Sequence, residues 1–117
     1  MVPADPNNPP KLQRPERRRD QRKKLAVEAE LHTAGYAAPL RVKTADLSTI
    51  GCYVEMMFTL AVGAKLQIGL WINGVKLNTE GVVITRDPQV GNGIQFTGMA
   101  AQDRVTLKRF LADAQDS

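Results

Sequence analysis

Residues 65–86, KLQIGLWINGVKLNTEGVVITR, decide the fold. Lys65–Ile72 reads as a strand. Asn73-Gly74 is a two-residue hairpin signal between strand residues, because both positions tolerate the positive φ that a tight primed turn demands. Val75–Arg86 returns as a second strand, long enough to bend at Gly81. A hairpin of this kind commits the chain to antiparallel β-structure, and the flanking sequence extends it in both directions.

Upstream, residues 23–33 alternate. Leu25, Val27, Ala29 and Leu31 face one way, and Ala26, Glu28, Glu30 and His32 the other, as in a half-buried strand. Gly35–Pro39 make a turn. Leu40, Val42 and Thr44 alternate with Arg41 and Lys43 in a second strand. A turn is expected over 46–51, then a third strand over Cys52–Met57, broken at Leu60–Ala64. Downstream of the hairpin, residues 87–92 form a loop containing Pro88 and Gly91, and Gly93–Thr97 a sixth short strand. The period then changes. Val105, Leu107, Phe110, Leu111 and Ala114 fall near one helical face between about Ala101 and Gln115. Six antiparallel strands and a terminal helix predict a mainly β fold: a small six-stranded antiparallel β-barrel with a C-terminal α-helix covering an opening or an edge.

A chain of 117 residues supports one domain. Residues 1–13, with prolines at 3, 6, 9 and 10, read as a disordered tail. The remainder divides into a basic arm (14–22), a barrel (23–98) and a helix (100–115). No run approaches 18 apolar residues, so no membrane span is expected. The first residues lack a basic-then-apolar pattern, so no secretory signal is expected either. One cysteine and one histidine leave no internal disulfide and too few ligands for zinc. A reduced, cytoplasmic setting follows as the expectation. Net charge is +4, yet residues 11–24 alone carry eight basic and two acidic side chains. That local field points to an anionic partner at one end of the molecule.

Enzyme readings fail on inventory: the sequence has no G-x-S-x-G, no Walker loop and no paired metal-ligand spacing. No cofactor or metal is expected. His32 reads as a surface histidine, Cys52 as a small buried hydrophobe, and Trp71 as a packing residue on a strand, with base stacking the less favoured role.

Two clusters carry chemistry. The first is Glu16-Arg17-Arg18-Arg19-Asp20-Gln21-Arg22. Arg18 and Arg22 point the same way in an extended arm, about 13 Å apart, and are neighbours about 6 Å apart in a helix. Either spacing lets two guanidinium forks grip one ligand, through phosphate or the O6/N7 edge of guanine. Taken alone, the arm reads first as a solvated tail or a nonspecific nucleic-acid arm. The second is Asp46-Leu47-Ser48-Thr49-Ile50-Gly51. Asp and Ser commonly brace turns, and Gly supplies positive φ. The same groups can serve a ligand: a carboxylate accepts from guanine N1 and N2, and a hydroxyl serves a phosphate or a base.

Together, in this order, the clusters resemble the PilZ domain family, whose signature is R-x-x-x-R followed by [D/N]-x-S-x-x-G. Arg18 and Arg22 match the first part; Asp46, Ser48 and Gly51 match the second. Gly93-Ile94-Gln95-Phe96 is similar to that family's closing strand. The resemblance covers about residues 16–112. It implies a receptor for cyclic di-GMP, a bacterial second messenger. Arg18 and Arg22 would hold phosphate and guanine edges, Asp46 and Ser48 would contact a guanine, Gly51 would shape the turn, and Arg17 would add a contact. It implies no catalysis, and a response passed to a separate protein effector in motility, biofilm or exopolysaccharide control.

Ordering a six-residue arm costs roughly 6–12 kcal/mol, and a micromolar complex must still net about −8 kcal/mol. Two or three bidentate contacts at about 1–3 kcal/mol each do not cover both. Either Lys23 and the first strand pre-position the arm, or stacking and further phosphate contacts share the load. The expectation is an arm that orders over the ligand. The rival reading is a small β-barrel whose basic arm binds RNA or DNA. A third is an interaction module without ligand, which the intact signature disfavours.

Overall fold

The computed structural model describes residues 22–114. Six strands precede one helix: β1 (Glu28–Thr33), β2 (Leu40–Leu47), β3 (Gly51–Glu55), β4 (Lys65–Ile72), β5 (Val75–Asp87), β6 (Gly91–Phe96) and α1 (Ala101–Asp113). All neighbouring strands are antiparallel and close a barrel in the order β1-β2-β3-β6-β5-β4. The expected architecture is present, and closure leaves no free edge.

The β4–β5 hairpin pairs without interruption from Ile72↔Val75 to Lys65↔Val82. Asn73 and Gly74 both take positive φ, 53° and 81°, as the two-residue turn requires. Inward positions of every strand meet in one core, with Leu31, Leu47, Val54, Leu70 and Ile94 fully buried. Leu107 and Leu111 of α1 join this cluster, so the helix closes an opening of the barrel. Val105, expected on the apolar face, is instead exposed.

The first strand is shorter than its alternation suggests. The Val27 carbonyl still accepts from the Thr44 amide at 2.9 Å, and residues 24–26 leave the ladder where the side chain of the buried Thr44 intercepts the backbone. Its hydroxyl donates to the Leu25 carbonyl at 2.5 Å and accepts from the Val27 amide at 2.9 Å. The chain rejoins β2 at Lys23, which exchanges two backbone hydrogen bonds of 2.9 Å with Leu47.

Two bulges shape the barrel wall. In β2 the register shifts between Thr44 and Asp46, and in β5 between Val83 and Thr85. Thr44 and Leu47 are both buried, with partners Val54 and Cys52. Strict alternation from Thr44 would turn Asp46 inward. The extra residue, Ala45, turns it out to the wall opposite Tyr53.

Candidate nucleotide-binding wall

The bulge on β2 and the Lys23–Leu47 bridge act together. One aims Asp46 outward, and the other fixes the backbone beside Arg22. Arg22 Nη1 donates to Asp46 Oδ1 at 2.7 Å, with the two side chains 40% and 30% exposed. Cation and carboxylate, 24 residues apart in sequence, therefore share one patch of outer wall. Arg17 and Arg18, expected in the same site, lie outside the described residues, as does most of the arm.

The turn after Asp46 is braced from within. Ser48 is fully buried. Its hydroxyl accepts from the amides of Ile50 and Gly51, each at 3.2 Å, and donates to the Gly51 carbonyl at 3.3 Å. One donor and two lone pairs are thereby used, so Ser48 braces the turn that follows Asp46. The turn's carbonyls are also occupied. Thr49 O accepts from Arg104 Nη1 of α1 at 3.1 Å, Ile50 O from the Phe96 amide at 2.8 Å, and Gly51 O from the Ser48 amide at 2.9 Å. The acid thus leads into a rigid bend tied to β6 and to the helix.

Gly51, the first residue of β3, does not supply the positive φ expected of a turn glycine. A Cβ there would come within 2.2 Å of the Ile94 carbonyl on β6. Glycine is required by the close approach of two strands, and that approach draws the turn against β6.

Tyr53 is a residue that sequence reasoning missed. It faces Asp46 across the ladder, and its hydroxyl donates to Asp87 Oδ2 at 2.7 Å. That bond and partial burial push its pKa up to about 12. The one sequence signal was its alternation with the buried Cys52. Cys52 itself is sealed in the core, where burial raises its thiol to about 12.

Trp71 sits on β4, three strands around the barrel from β3 in either direction. Arg41 and Lys76 lie over its ring, 5.5 and 5.1 Å from the centroid. Lys76 also binds Glu30 at 2.8 Å, with Arg41 and His32 each 3.5 Å from the same carboxylate. This is surface packing, held by cation–π contacts and an ion-pair cluster. His32 is exposed, as expected. A groove of 790 Å³ on the β1–β4–β5 side, lined by Thr33, Lys65, Gln67, Glu80 and Val82 among others, contains none of the wall residues described above. No cluster able to hold a metal occurs among the described residues. None of their helices is long and apolar enough to cross a membrane.

Comparison with known proteins agrees with this architecture. Three solved structures share the fold. One is the inhibitor of motility MotI/DgrA of Bacillus subtilis, at 18% identity and TM-score 0.67, over 85% of this chain and 54% of that one. Another is the PilZ domain of CeSA from a cellulose-synthesizing bacterium, at 20% and 0.63, over 79% and 95%. The third is PlzA of Borreliella burgdorferi in complex with c-di-GMP, at 15% and 0.61, over 94% and 50%. The alignments thus take in only about half the length of MotI/DgrA and of PlzA. No curated protein sequence matches. The family model described as PilZ domain matches residues 16–113. With that match spanning nearly the whole chain, and a closed six-stranded barrel capped by a helix beneath it, this chain belongs to the PilZ domain family.

Proposed function

We propose that the domain is a receptor for cyclic di-GMP that binds the ligand on the outer wall around Arg22 and Asp46 and passes the signal to a protein effector without catalysis. The observation that carries this reading is the 2.7 Å pairing of Arg22 with Asp46. It sets a guanidinium fork for phosphate or a guanine edge beside a carboxylate for guanine N1 and N2. Arg17 and Arg18 supply the further cations. Ser48 and Gly51 act through the bend, holding Asp46 in place. The PlzA complex, which shares the fold, supports the ligand class.

The Lys23–Leu47 bridge bears on the energetic difficulty of the arm. Its two backbone bonds anchor the end of the arm before any ligand arrives. Fewer residues then have to be ordered, and at about 1–2 kcal/mol each the saving is substantial. We propose that the rest of the arm orders over the ligand.

The test is calorimetric titration of the protein with cyclic di-GMP, repeated with Arg22→Ala and Asp46→Ala. Saturable binding that either substitution abolishes or strongly weakens supports the reading. Absence of binding by the unsubstituted protein refutes it. Binding to generic RNA or DNA, falling steeply with salt and indifferent to Asp46→Ala, would replace it with the nucleic-acid reading.

A further inference from the structure

The receptor reading leaves one well-held aromatic ring on the same wall unused. Asp46 pairs with Tyr53, Tyr53 with Gly93, and Gly93 with Thr85. Directly opposed residues of an antiparallel ladder project from the same face. These four positions therefore form one outer row across β2, β3, β6 and β5, and Tyr53 supplies its aromatic ring.

That ring is fixed in place. Its hydroxyl is anchored on Asp87 Oδ2 at 2.7 Å. Its edge lies over Gly91, where a Cβ would come within 2.8 Å of Cε2 and 3.0 Å of Cζ. Glycine at 91 is required first by the Val54 carbonyl, which a Cβ would approach to 2.3 Å, and it also leaves the ring its space. The ring remains partly exposed. A preordered aromatic side chain offers stacking area at little further entropic cost.

The charges along the wall indicate which part of a nucleotide the ring would take. The cation Arg22 stands at one end, Asp46 beside it, and Asp87 beyond Tyr53. A phosphate is favoured near Arg22 and disfavoured between two carboxylates. The neutral base is the part that suits the Tyr53 side. Trp71, the other candidate for stacking, is three strands away and already flanked by two cations.

We propose that Tyr53 is a base-stacking residue of this wall, holding a purine whose hydrogen-bonding edge is read by Asp46. The inference rests on the cyclic di-GMP reading and adds a residue outside the arginine and Asp-x-Ser-x-x-Gly pattern. Stacking of a base on an aromatic side chain corresponds to about a 5- to 150-fold effect on affinity.

The experiment titrates cyclic di-GMP into the unsubstituted protein, Tyr53→Phe, Tyr53→Ala and Arg22→Ala, with circular dichroism to confirm folding. The expected result is a loss of about 5- to 150-fold for Tyr53→Ala, and a smaller loss for Tyr53→Phe, which keeps the stacking ring but not its anchor on Asp87. Unchanged affinity in Tyr53→Ala, with Arg22→Ala impaired, overturns the role of Tyr53 and leaves the receptor reading standing. No binding by the unsubstituted protein overturns both. Should Tyr53→Ala fail to fold, nuclear Overhauser contacts in the unsubstituted complex decide. Contacts between purine H8 and the Tyr53 ring protons support the stack, and their absence from a saturated complex refutes it.

Discussion

Arg22 Nη1 and Asp46 Oδ1 lie 2.7 Å apart on the outer face of the barrel, the one at the end of the basic arm and the other beside a β-bulge. Both side chains are substantially open to solvent, so the pair itself contributes little to folding, about 0.2–1 kcal/mol. Its value is positional. Each group is held on the outer wall, where the proposed ligand would engage both.

Stability and binding should therefore separate at Arg22. Arg22→Ala is expected to change unfolding free energy by less than about 1 kcal/mol in urea. The same substitution should weaken cyclic di-GMP about 10- to 150-fold, the loss of a charge-assisted hydrogen bond. Parallel losses in both assays would mean that the arginine is structural.

Gly51→Ala should behave in the opposite way. Its Cβ would meet the Ile94 carbonyl at 2.2 Å, and backbone on both sides must yield. We expect destabilisation of about 1–3 kcal/mol, read from denaturant midpoints. An unchanged midpoint would show that β3 and β6 separate more easily than the packing suggests.

Glu30 gives the barrel a defined response to acid. The hydrogen bond from Lys76 is the largest influence and lowers the Glu30 pKa below its ordinary 4.5; partial burial opposes it, and His32 and Arg41 assist. A carboxylate with a depressed folded pKa stabilises the fold above the unfolded value, and that contribution disappears as pH falls through the folded one. Glu30→Gln should therefore be less stable than the unsubstituted protein near neutrality. The difference should close as the solution is acidified below 4.5. A constant gap across that range would assign the effect to packing.

Cys52 should be chemically silent. The thiol is fully buried, and its pKa of about 12 leaves little thiolate at pH 8. Alkylation by iodoacetamide is expected to proceed only at the rate of global unfolding, and to become rapid in denaturant. Fast labelling of the native protein would show local opening of β3.

The strands and the helix were legible because their signals are local. A hairpin needs only Asn73-Gly74 between β-formers, and a helix only an apolar period near 3.6. The five signature positions were legible as types of residue, although Arg18 stands outside the described residues. Less visible was how the site residues are used. Nothing in Asp-Leu-Ser-Thr-Ile-Gly says that the serine hydroxyl is consumed by its own turn, or that Gly51 is needed because a carbonyl of β6 presses against it. Tyr53 escaped notice for the same reason: its partner across the ladder depends on the register of β2 against β3.

By itself, then, the order of residues determined the antiparallel hairpin, the helix and the chemical kinds of group available, because each depends on neighbours a few positions away. Tertiary structure alone decided which groups meet. Side-chain direction in a strand reverses with every residue, so the single inserted Ala45 turns Asp46 from core to wall. The interception of Leu25 and Val27 by Thr44, and the return of Lys23 to Leu47, then bring Arg22 to that carboxylate. Those are long-range backbone events, and no local period encodes them.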